Sequence, residues 1–250
     1  MKLIKSKKER EIMLIAGQKL ALVFEAISFC NIINKTTYEV DILIKCLLDF
    51  HGLVSQCKGY RGYPGYACIS VNDELVHGVP SDRRILETDL VKIDICASYN
   101  GFCADSARAY AFFENNSLFS LMQECAQQSL NAGILEMKAG NTVGCVSSSI
   151  EKSILKYGYF VVKDFSGHGI GKSMHEDPEV PNYGIAGEGQ KLYVGMALAI
   201  EPMFCQYSED LVIDKKDKWT VRTKDSGIAM HIEDTIILDD SGCIVTTRLK

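Results

Sequence analysis

Two histidines and four acids are the residues of this chain best placed to do chemistry. The stretch "GHGIGKSMHEDP", Gly167 to Pro178, sets His168 and His175 seven residues apart, in a chain with five histidines in all. A catalytic zinc helix of the H-E-x-x-H kind spaces its ligands four apart so that both imidazoles share a face. The spacing here is different, and Gly167, Gly169 and Gly171 argue against a helix. Glycines so close together point to unusual backbone conformations or to backbone lying against a ligand. The two histidines are therefore expected to do different jobs.

The acids stand where acids are costly. Asp94 lies between Ile93 and Ile95 in an apolar strand, and a lone buried carboxylate costs several kcal/mol unless a cation or donors attend it. Asp105 lies on the far arm of the same expected hairpin. An even-numbered loop puts Asp94 and Asp105 on one face, close enough to repel, whereas an odd loop parts them. Glu201, after "ALAI", and Glu233, after "MHI", repeat the pattern in two later strands. Four carboxylates and one imidazole form an oxygen-rich set, suited to one or two divalent ions such as manganese, iron or cobalt rather than to a structural zinc. Two ions about 3.5 to 4 Å apart would make hydroxide available at neutral pH.

The elements that must hold these groups are legible in outline. Ser6 with Glu9 is a capping box, and Ile12, Ala16, Leu20, Val23 and Ile27 form one stripe of a helix running to about Phe29. Thr36 with Glu39 starts a second helix, which ends at His51 and Gly52, with His51 as a helix-end cation. "ACISV" reads as a strand, and "LVKIDICASYNGFCADSARAYAFF" as two strands turning at Asn100-Gly101. "LFSLMQECAQQSLNAGILEM" and "VGCVSSSIEKSILKYG" read as helices, followed by a strand "YFVVKDF". Helix, helix, strand thus occurs once per half. "MALAIEPMF" and "HIEDTIILDDSGCIVTT" supply the last strands, the latter a hairpin at "DDSG". No Pro-rich or low-complexity linker divides residues 1–250, which favours a single domain.

Composition excludes several classes. Net charge is −5 and the only basic run is "KSKKER", so there is no nucleic-acid footprint. Lys19 and Glu25 interrupt the apolar text near the start, against a signal peptide, and no segment reads as long and apolar enough to cross a membrane. The ten cysteines are scattered singly, several inside apolar runs, as buried thiols are in a reducing cytosol; a cytoplasmic protein is expected.

Along nearly its whole length the chain resembles the type I methionine aminopeptidases. The matching text is "GYRGYPGYACISVNDELVHGVP", "VKIDICASYNGFCADSAR", "GHGIGKSMHEDPEVPNY", "MALAIEPM" and "WTVRTKDSGIAMHIEDT". The resemblance implies an α+β "pita-bread" fold, two pseudo-symmetric halves with helices outside a curved antiparallel sheet. It implies two divalent metal ions, with Asp105 and Glu233 bridging, Asp94 on one ion, and His168 with Glu201 on the other. Glu201 is also implied as the general acid/base, His175 as the donor steadying the tetrahedral intermediate, and His77 as a partner of the scissile amide. Cys57, Tyr60, Tyr63, Cys68, Met174 and Trp219 match the pocket for the methionine side chain, for which thiols, rings and a thioether are suited. The implied substrates are peptides and nascent chains with N-terminal Met and a small second residue, probed at the ribosome by a monomer.

Departures stand beside the match. Met174 takes a position where relatives often carry Phe, and Cys103 one where relatives vary. His231 stands where Gln is usual, and Asp234 where His is usual. "HIEDT" drifts toward the aminopeptidase P and prolidase side of the superfamily. On a strand His231 and Glu233 share a face, which makes His231 a partner of the ligands or an extra ligand. The rival readings are an Xaa-Pro aminopeptidase, whose usual extra N-terminal domain has no room before Ser6, and a metal-free binding protein on the same scaffold.

Overall fold

A computed structural model describes residues 3–112 and 116–249; the predicted strand end at Phe113 lies outside them. Four helices form: α1 (Lys7–Phe29), α2 (Thr37–His51), α3 (Ser117–Leu135) and α4 (Val143–Lys156). Both predicted capping boxes close. Glu9 Oε2 accepts from Ser6 N at 2.7 Å, and Glu39 Oε2 accepts from Thr36 N at 2.7 Å. Gly52 ends α2 at φ 67°, where a residue without Cβ bears no strain.

One expectation is corrected in α1. An 18-residue window of this helix has mean hydropathy 1.7, so by length and composition it qualifies as a membrane span. Its apolar stripe is nevertheless buried in the protein: Met13, Ala16, Leu20, Val23 and Ile27 pack toward α2 and the strand Phe102–Ala111, with Met13 rather than Ile12 fully enclosed in the second turn. The helix is apolar because it serves as a wall of the core.

The core has two main parts. The first packs α1 and α2 against Ile69, Val91, Ile93 and Ile95; the second packs α3 and α4 against Leu198, Ile200, Phe204 and Ile236. Each half places its two helices on one side of an antiparallel sheet, which leaves the other faces turned toward each other.

Two ribbons line that inner space. In the first, Leu90–Tyr99 pairs with Phe102–Ala111 across Asn100-Gly101, both at positive φ (48° and 76°), as a two-residue hairpin turn requires. The loop is even. Asp94 lies opposite Ala107 and Asp105 opposite Cys96, so the aspartates are diagonal neighbours on one face. In the second, Ala197–Ile200 and Met203–Cys205 pair with Asp234–Asp239 and Ala229–His231.

The strands predicted as continuous there are interrupted at Glu201-Pro202 and at Ile232-Glu233. Pro202 has no N–H to give a ladder. Glu233 spends its backbone on the first ribbon, donating to Ala107 O at 3.0 Å and accepting from Ala107 N at 3.3 Å. That exchange joins the two ribbons. The predicted strand "YFVVKDF" is reduced to Phe160–Val161, which pairs with Met203–Cys205; beyond it Val162 N still donates to Met203 O.

Candidate metal centre and substrate pocket

Strand register places the acids before any side chain is considered. Met203 lies opposite His231 and Ile200 opposite Asp234, so the offset is unchanged across the interruption and Glu201 faces Glu233. Glu233 in turn faces Ala107, and Ala107 faces Asp94. One row across the four strands therefore reads Glu201, Glu233, Ala107, Asp94. The neighbouring row reads His168, Ala199, Thr235, the last bonded through its hydroxyl to the Asp105 backbone. Residues two apart on a strand share a face, so all five groups point into one space. Ala107 and Ala199 are fully buried, and their size leaves room between the longer side chains.

The glycines around His168 answer to close packing. A Cβ on Gly167 would lie 2.4 Å from Ala199 O, and one on Gly169 2.1 Å from Asp177 O. Only a bare backbone lets the strand Ser166–Gly169 lie this near its neighbours and bring the imidazole to the acids.

His168 Nδ1 lies 2.9 Å from Gly169 O, which can only accept, so the ring carries its proton on Nδ1. Nε2 then presents a lone pair to Glu201 Oε1 at 3.5 Å and Asp105 Oδ2 at 3.9 Å. Burial, with the neighbouring His175, lowers this imidazole's pKa to about 3, which keeps it neutral. Acceptors thus face acceptors. Asp105 Oδ1 and Glu233 Oε1 are buried and have no hydrogen-bond partner among the described residues.

Burial first, and then mutual repulsion, pushes the acids upward: Asp105 to about 7 with Glu201 as its main charged neighbour, Asp94 and Glu233 in the same direction with Asp105 contributing to both. Glu201 rises through burial. These are the signs of an anionic site suited to a counter-charge. Ligand atoms of Asp105, His168 and Glu233 lie within 4.8 Å of one another, as do those of Glu201, His231 and Glu233. Orphaned buried oxygens, a neutral imidazole and oxygen-rich chemistry fit divalent cations.

The second histidine of the glycine stretch stands beside the first. The rings of His168 and His175 meet edge to face with centroids 4.4 Å apart, and Tyr60 Oη lies 3.2 Å from His175 Nδ1. His175 is exposed, and burial of part of its ring, with Arg61 nearby, lowers its pKa. His77 sits at φ 57°, a conformation rare outside glycine and common at functional sites. Its ring lies 5.6 Å from that of Phe165 and 6.1 Å from that of Trp219, and burial holds its pKa down to about 4.

The five expected metal ligands, His77, His175 and the six expected pocket residues line one cavity of about 510 Å³, while His231, Asp234 and Cys103 stand outside its lining. Cys57, Tyr63 and Cys68 are buried at its inner end, where Tyr63 Oη donates to Gly78 O at 2.8 Å and its ring meets Trp219 edge-on at 5.2 Å. Tyr60 and Met174 stand further out and Arg61 and His175 are exposed. The wall also includes Cys96, Phe165, Met203 and Arg61, which were not anticipated. Cys96 was within reach of sequence reasoning, because it follows Asp94 by two on the same strand and so shares its face. Met203, two beyond Glu201 in the predicted strand, was within the same reach, whereas Phe165 arrives through tertiary packing alone.

A fold of two helix-backed antiparallel halves around a buried carboxylate and histidine cluster defines a metal-dependent hydrolase, and comparison with known proteins makes the class narrower. The sequence profile of metallopeptidase family M24 matches residues 11–240, and the chain belongs to that family. It is similar to the methionine aminopeptidase of Clostridium acetobutylicum, with 37% identity over 246 residues covering 98% of each chain. The structure of the methionine aminopeptidase from Thermotoga maritima superposes with a TM-score of 0.95 at 34% identity, covering 100% of both chains. The X-Pro aminopeptidase of Thermotoga maritima shares the fold at 22% identity, with a TM-score of 0.76; the likeness spans 99% of this chain and 63% of that one. The pita-bread expectation holds.

Proposed function

We propose that the protein hydrolyses the first peptide bond of chains that begin with methionine, as a single catalytic domain working as a cytoplasmic monomer on nascent chains at the ribosome. The observation that carries this reading is the opening of the carboxylate cluster onto a pocket floored by buried thiols and rings. Two divalent ions are the expected occupants, held by Asp94, Asp105, His168, Glu201 and Glu233. Four carboxylates against two dications leave the set near neutrality, which offsets the cost of burying the acids. Bound there, the ions supply Lewis acidity, activating water near neutral pH and polarising the scissile carbonyl.

The protein's own groups do the rest. Cys57, Tyr60, Tyr63, Cys68, Met174 and Trp219 take the methionine side chain, whose polarizable thioether suits rings and sulfur. Glu201, whose pKa burial raises, accepts the proton of the attacking water and passes it to the leaving amine. His175 donates to the oxygen on which charge develops, its other nitrogen fixed by Tyr60. His77 holds the scissile amide.

Release of methionine from Met-Ala-Ser and Ala-Pro-Ala cleavage are the assays that test this reading. Met-Ala-Ser is expected to be cleaved far faster, activity is expected to vanish after EDTA, and returning Mn, Fe, Co or Zn is expected to restore it. Preferential cleavage of Ala-Pro-Ala would replace the reading with an X-Pro specificity. Full activity on either peptide after exhaustive chelation would remove the ions from it.

A further inference from the structure

The pocket lining leaves out one buried imidazole that reaches the same carboxylates. His231 ends the strand Ala229–His231 opposite Met203 and is 1% exposed. In the strand register its row adjoins the Glu201 and Glu233 row on the side away from His168, so the two imidazoles flank that row. The carboxylate of Glu201 spans them: Oε1 lies 3.5 Å from His168 Nε2, and Oε2 lies 3.2 Å from His231 Nε2.

His231 Nε2 is unpartnered despite this proximity, since its geometry to Glu201 is not that of a hydrogen bond. Glu233 Oε1 is unpartnered as well. A buried ring nitrogen and a buried carboxylate oxygen that face the same space with no donor between them lack what a shared cation supplies. Ligand atoms of Glu201, His231 and Glu233 lie within 4.8 Å of one another, as close as those of the Asp105, His168 and Glu233 set.

We propose that His231 is a sixth ligand, offering Nε2 to the cation on the Asp94 and Glu233 side, while His168 and Glu201 hold the other. This deepens the proposed function and rests on its two-ion reading. Each ion then takes one imidazole, and Glu201 extends between the two nitrogens. A nitrogen donor in place of an all-oxygen set draws that ion's preference away from manganese toward cobalt, nickel and zinc, whose affinity for imidazole is greater.

The test is proton NMR of the full-length protein loaded with two equivalents of Co²⁺, together with calorimetric titration of Co²⁺. Coordinated imidazoles show strongly shifted N–H signals that disappear in D₂O. Two such signals are expected in the wild-type protein and one in His231→Gln, with one of the two cobalt affinities weakened at least tenfold and the other unchanged. The glutamine preserves the side chain's ability to hydrogen-bond Glu201 but removes the ring nitrogen, so a merely supporting role would leave both affinities in place. One N–H signal in a wild-type protein that holds two cobalt ions overturns the sixth ligand and leaves the proposed function standing, whatever the variant does. A protein that takes up no cobalt overturns both.

Discussion

Glu201→Gln is expected to lower kcat on Met-Ala-Ser by roughly 10³ to 10⁴ while the protein remains folded, because proton transfer by a positioned side chain is worth about 10² to 10⁴ and a metal-binding oxygen is lost besides. The position explains the size of the effect. Glu201 follows a fully buried strand, faces Glu233 across the ribbon and stands 3.5 Å from His168 and 3.2 Å from His231. Among the described residues no other carboxylate lies within 4 Å of both rings. Glutamine keeps the shape and removes the charge and the basic oxygen. Steady-state kinetics, with circular dichroism and metal content on the same samples, checks this outcome. A variant with wild-type kcat would show that the proton passes through another group.

The metal-free protein is expected to lose stability as pH rises from about 4 to 7, and divalent cation is expected to reverse that slope. Asp105 holds its proton up to about pH 7 in the folded chain, against an ordinary value of 3.8. Between those pH values the folded state binds more protons than the unfolded one, so stability falls as pH rises, by about 1.4 kcal/mol per unit for each carboxyl behaving this way. Asp94, Glu201 and Glu233 are shifted in the same direction and add to the slope. Below the ordinary value all four are protonated in both states and the contribution is complete. Cations bind the ionised acids, so their stabilising effect grows over the same window. Urea unfolding at a series of pH values, with EDTA and with Mn²⁺, measures both slopes; a metal-free protein most stable at pH 7 would contradict the burial argument.

Much of this site could be read in the letters because its devices are local. An acid between isoleucines and a period of two put Asp94 and Asp105 on one face if the loop is even; the letters left that open, and the two-residue turn at Asn100-Gly101 settles it. The capping boxes at Ser6 and Thr36 are likewise local, and both helices begin where they predict. The resemblance to a known family supplied what local patterns do not carry, including the pocket residues, which lie on several elements.

What escaped the sequence depends on exchanges between distant segments. Nothing in "HIEDTIIL" says that Glu233 gives its backbone to Ala107, which is why an apparently continuous strand is interrupted at that residue. The break at Pro202 was visible as a missing N–H, but its alignment with the break at Glu233 was not. Hydropathy misleads in α1, where an apolar composition that satisfies a membrane span is used on a core wall. Phe165 reaches His77 only through tertiary packing.

Anomalous diffraction from crystals grown with Mn²⁺ tests the central claim most directly. The account predicts two peaks about 3.5 to 4 Å apart, one nearer His168 and Asp105 and the other nearer Asp94, with Glu233 between them. Carboxylates that turn away from one another around a peak-free, water-filled space would contradict it.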